Sequence, residues 1–215
     1  MQTSNPVNRR SFLVTGAALT GSLGLWTIPA QGKSIESNKD PKSIYMTGPQ
    51  EGYSPMVGTL LSTMTMMRQW LKDTGTGLSV AQLDFQIDDK SNSIGAMMHH
   101  LAATEKFYQY NTFKNMAWPE IAEELGEEWN LPMNLGPAAR EALIGKSMDD
   151  YIKILDEVRA DTEDEFKKVD DEWLMKSEPF FQSQPTTNHC KWFHVCEHES
   201  NHRGQMKFIA QRFPK

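Results

Sequence analysis

The chain has 215 residues and a formal net charge of −6, enough length for one domain with a real core. An acidic chain without a lysine or arginine cluster excludes nucleic acid and anionic membrane surfaces as natural partners. No internal repeat, low-complexity tract or strand-like alternation of apolar and polar residues runs through it.

The N-terminus reads as an export signal. Asn8-Arg9-Arg10-Ser11-Phe12-Leu13 is a twin-arginine motif, followed by a weakly apolar run over 14–28 and by Ala30-Gln31-Gly32. Charged, apolar and small-x-small in that order describe a Tat signal peptide over residues 1–32, addressed to the periplasm. The run is short for a membrane span and is diluted by Gly16, Gly21 and Gly24, so no span is expected in the mature form. The segment carries two arginines and no acid, so its removal takes the net charge from −6 to −8. Proteins exported this way fold before crossing, often around a cofactor loaded inside the cell, which suits a metal site.

Residues 33–52 are polar and aperiodic, a linker. From 53 to 73, Val57, Leu60, Leu61, Met64, Met67 and Leu71 recur at spacings of three and four, a helical stripe with Pro55 in the first turn. Its methionines sit at core positions, not in a copper site. Residues 74–92 form a connector. A second helix opens at Ser91, Asn92 or Ser93 and runs to about 113. On its wheel His100 points into the apolar stripe and His99 lies at the edge. Residues 114–146 read as a long crossover with one short helical stretch around 120–127. A third helix spans 147–169, with a capping box in Ser147 and Asp150 and the stripe Met148, Tyr151, Leu155, Val158, Thr162 and Phe166. Residues 170–185 form a loop whose Phe180 and Phe181 are expected to cover one end of the bundle.

The fourth helix, from Thr186 on, holds four of the six histidines. His194, His198 and His202 recur every fourth residue and line one face, where neutral imidazoles one turn apart can share a divalent cation. Its cysteines, Cys190 and Cys196, lie about 9 Å apart along the axis and point about 120° apart, too far for a mutual disulfide. His198-Glu199-Ser200-Asn201-His202 matches the zinc-protease pattern H-E-x-x-H. The protease reading fails, because no His, Asp or Glu follows His202 to serve as third ligand. That ligand must come from upstream, and inward-facing His100 is the candidate. His194 lies about 12 Å along the axis from His202, too far for one ion to reach both. With Gln205 it is expected to support the ligands from one turn beyond. Glu199, about 100° round the helix from His198, is read either as a group that orients a ligand or accepts a proton, or as solvated surface.

Ser91-Asn92-Ser93-Ile94-Gly95 with Met98-His99-His100-Leu101-Ala102, and the run from His194 to Gln205, resemble the second- and fourth-helix signatures of the DinB-like metalloenzymes. The resemblance extends over roughly 53–213. It implies an all-α four-helix bundle with a long crossover between helices two and three, filling residues 53–215. It also implies a divalent metal on His100, His198 and His202. The family includes thiol-dependent transferases and isomerases using mycothiol or bacillithiol; an export signal departs from its cytoplasmic members.

Three neutral imidazoles leave an ion with open positions, as in a reactive site, and zinc, nickel and iron(II) all accept them. A water or thiol held there is acidified. The expected function is therefore that of an exported metal-dependent transferase or hydrolase acting on a small molecule, such as a thiol conjugate. The alternative is a non-catalytic metal-binding module. A homodimer is the expected assembly.

Overall fold

The computed structural model describes residues 43–214; the twin-arginine segment and the linker's first ten residues lie outside them. Four long helices make the frame: α1 (Pro55–Gly75), α3 (Ile94–Phe113), α6 (Met148–Phe166) and α8 (Asn188–Ala210). Helix α8 packs on α1 and α3, and α3 packs on α6, giving the expected all-α bundle.

Local chemistry sets the helix ends. Ser93 Oγ accepts from Ala96 N at 3.1 Å, and Ser147 with Asp150 forms the expected capping box. Helix α1 is capped from a distance. Asp171 Oδ1 accepts from Met56 N at 2.9 Å and from Ser54 Oγ at 2.6 Å, so the loop before α8 is tied to the start of α1.

The connections carry more structure than the periodicity predicts. The first connector contains α2 (Val80–Leu83), closed by a Ser79–Gln82 capping box. The crossover holds α4 (Trp118–Asn134) and α5 (Pro137–Ala142) in place of one short helical stretch. Helix α4 bends at Gly126, whose φ of 63° only glycine adopts without strain. Beyond the bend the helix tolerates Pro132 and packs against α3. Gly126 and Pro132 read as breakers in the sequence. Buried Ile121 and the packing of Trp129 override them.

The second loop holds α7 (Asp171–Met175) and a small antiparallel hairpin, β1 (Ser177–Pro179) and β2 (Pro185–Thr187). Three-residue strands are too short to show alternation. Phe180 and Phe181 do fold over one end, against Tyr108, Trp118 and His194.

Two apolar clusters fill the bundle. One joins Leu71, Met97, Leu101, Tyr151, Leu155 and Met206; the other joins Val57, Met64, Tyr108, Phe166 and Trp192. On each long helix one charged residue falls between its contributions to the two: Arg68, Glu105, Arg159 and Glu199. Arg68 Nη2 donates to Glu105 at 2.6 Å and its Nε to Glu199 at 2.8 Å. Arg159 Nε donates to Glu105 Oε1 at 2.7 Å. A layer of two cations and two anions thus bridges all four helices at mid-height.

Close approach of α3 to α6 depends on Gly95. A Cβ there would lie 2.5–2.7 Å from the hydroxyl and ring of Tyr151, which is itself fully buried. At Gly75 a Cβ would meet only the flexible ends of Met148 and Met98. Gly95→Ala is therefore expected to cost about 1–3 kcal/mol in urea unfolding, and Gly75→Ala clearly less.

Candidate metal centre

Helices α3 and α8 face each other along most of their length, and their histidines meet. Ligand atoms of His100, His198 and His202 all lie within 4.8 Å of one another. His100 Nε2 is 2.9 Å from His198 Nε2. The ring centroids of His100 lie 5.1 Å from both His198 and His202. A spacing of four residues places His198 and His202 on successive turns of one face, and packing against α3 supplies the third ring.

Two of the rings are oriented by groups that sequence inspection misses. His100 Nδ1 is 2.9 Å from the carbonyl of Pro132. That carbonyl can only accept, so Nδ1 carries the proton and Nε2 is left with a free lone pair. His202 Nδ1 lies 3.3 Å from the thioether of Met97, a weak acceptor that holds a proton on Nδ1 in the same way. Pro132 belongs to the unexpected half of α4. Met97 sits three residues before His100, where it reads as plain core. The one available signal was that spacing.

The donor set fits a divalent ion. Neutral imidazole nitrogens about 2.0–2.1 Å from a tetrahedral ion lie roughly 3.3 Å from each other, close to the separation of His100 and His198. Lone pairs converging this closely call for a proton or a cation between them. Burial, reinforced by the neighbouring rings, lowers His198 to about 3 and His202 to about 4, and burial lowers His100 as well. All three are free bases at neutral pH, the state a metal requires.

The other sequence-selected residues divide. His194 lies outside the cluster: its ring centroid is 5.2 Å from His198, and its Nδ1 is 3.4 Å from Glu197. Phe181 and Tyr108 flank it at 5.2 and 6.0 Å. Gln205 stands three residues beyond His202 on the same helix, where its Nε2 donates to Asn201 Oδ1 at 3.4 Å. Glu199 is the correction. It is 1% exposed, so it is not solvated surface, and its Oε1 is held by Arg68 and Arg159 in the charge layer. Its Oε2 is buried without a hydrogen-bond partner among the described residues, so the carboxylate belongs to the charge layer and not to the histidine cluster. His99 is buried beside Trp129, at 6.1 Å, and stays outside the cluster. Cys196 is buried, which raises its thiol to about 11, and both cysteines are free.

A helical bundle with three converging histidines between its second and fourth long helices defines the class of protein. Residues 62–206, well over half of the chain, match the DinB superfamily, and the chain belongs to it. No curated protein matches the chain.

Proposed function

We propose that His100, His198 and His202 hold one divalent ion, zinc, nickel or iron(II), and that the protein is an exported metal-dependent transferase or hydrolase of a small molecule, with thiol conjugates among its candidate substrates. The observation that carries the reading is the convergence of three neutral imidazoles, two with Nδ1 already occupied. When bound, the ion supplies Lewis acidity and acidifies a coordinated water or thiol. The chain's own part is to hold the ligand rings as free bases and to wall one end of the site with Tyr108, Phe181 and His194. Burial keeps the Tyr108 phenol protonated, so it is a donor and not a base.

One observation favours the second reading, a non-catalytic metal module. The charge layer has taken up Glu199, the acid–base candidate next to the ligands. Metal analysis of protein exported in its native host, followed by assays with ester, amide and thiol-conjugation substrates, separates the two readings. Bound metal with turnover supports the enzyme; bound metal without it supports the module.

Export rests on Arg9 and Arg10, which lie outside the described residues. Changing both to lysine is expected to leave precursor in the cytoplasm; mature protein in the periplasm would refute the signal. No helix of the described residues is long and apolar enough to cross a membrane.

A further inference from the structure

Beside the histidine cluster, between the loop that leads into α3 and the last turns of α8, lies a groove of about 690 Å³. Met97 and Gln205 line it, and the Met97 thioether lies 3.3 Å from His202 Nδ1. The groove is therefore next to the metal centre through Met97, a side chain that contacts a ligand ring.

Three features of its lining have no explanation within the fold. Gly204 sits inside α8, where glycine is a poor helix former. It has no positive φ, and a Cβ there would meet nothing within 4 Å. Neither backbone conformation nor packing requires glycine, yet it lines the groove, where a side chain would take up space. Asn92 Oδ1 is buried with no hydrogen-bond partner among the described residues. An orphaned buried acceptor calls for a donor. Phe208 and Ile87 are 51% and 38% exposed, apolar surface along the same groove. Lys90 adds a cation at the rim. The neighbouring Asp88 carboxylate is met by the backbone N–H groups of Lys90 and Ser91, at 2.9 and 2.7 Å.

We propose that this groove binds the non-reacting arm of the substrate, a small carboxylate that carries an amide N–H and an apolar body. The carboxylate pairs with Lys90, the N–H donates to Asn92 Oδ1, and the apolar body lies over Met97 and Phe208. The backbone at Gly204 allows its close approach. The proposal depends on the metal reading only for where the reactive end of the substrate lies.

The probe is N-acetyl-leucine, titrated into the zinc-loaded mature chain and followed by amide NMR, with zinc stoichiometry measured separately. Shifts centred on Asn92, Gly204 and Phe208 are expected. Gly204→Trp, which fills open space, is expected to weaken binding about tenfold or more while leaving zinc content unchanged. Lys90→Ala, or use of N-acetyl-leucinamide, is expected to weaken it about two- to fivefold. Shifts absent or scattered elsewhere, or equal binding by Gly204→Trp, would overturn the proposal. Probe binding without zinc binding upholds the groove and defeats the metal reading. Zinc binding without probe binding defeats the groove alone.

Discussion

Replacing His202 by alanine is expected to strip the protein of metal. His100→Ala, His198→Ala and His202→Ala should each lower bound metal about tenfold or more, since a lost ligand costs at least as much as a lost supporting contact. His194→Ala should cost about tenfold at most. Elemental analysis after gel filtration, backed by chelator competition, reads all four variants. The rival arrangement uses His194, His198 and a distant group. Full retention in His202→Ala with loss in His194→Ala would move the site one turn up α8. In the wild type, burial keeps His202 and His198 unprotonated until the pH approaches about 4 and about 3. Metal should accordingly be held well below the ordinary histidine value of 6.5 and released as the pH falls through about 4.

The second large effect belongs to the charge layer. Glu105 is fully buried and accepts from Arg68, from two nitrogens of Arg159 and from Thr162 Oγ1 at 2.6 Å. Glu105→Ala leaves two buried guanidinium groups facing Glu199 alone, and is expected to cost about 3–5 kcal/mol in urea unfolding. The neighbouring guanidinium groups outweigh burial and hold the Glu105 carboxyl at about 2, below its ordinary 4.5. A depressed carboxyl pKa stabilises the fold above the unfolded value. That contribution is lost as the pH falls from 4.5 through about 2. Glu105→Gln, less damaging than Glu105→Ala, should therefore show a flatter stability profile across that window. The buried histidines act higher. They stay neutral in the fold while the unfolded chain takes up protons below 6.5, so their penalty develops between 6.5 and about 4 in both proteins. An unchanged slope between pH 4.5 and 2 in Glu105→Gln would remove the paired-carboxylate account.

Much of the frame was legible because helices announce themselves locally. The stripes at three and four residues, Pro55 in the first turn and the caps at Ser93 and Ser147 depend on neighbours within one turn, and each appears in the structure. The connections were less legible. Helix α4 is stabilised by packing against α3, and the hairpin pairs residues 6 to 10 apart over three-residue strands, so neither leaves a periodic mark.

Within the site the same division holds. Spacing alone put His198 and His202 on one face, and the wheel alone turned His100 inward, because a single helix fixes which of its residues share a side. Glu199 shows the limit of that reasoning. The wheel gives its angle from His198 but not what stands there, and its surroundings are Arg68 from α1 and Arg159 from α6. Met97 and the Pro132 carbonyl likewise became partners of the histidines only when α3, α4 and α8 came together. The sequence by itself determined the helical frame and the three histidines, since both follow from intervals along one helix. Tertiary structure decided which groups orient the rings, that Glu199 bears charge in the core, and that Gly204 opens onto a groove. These depend on contacts between helices distant in sequence, which no local period records.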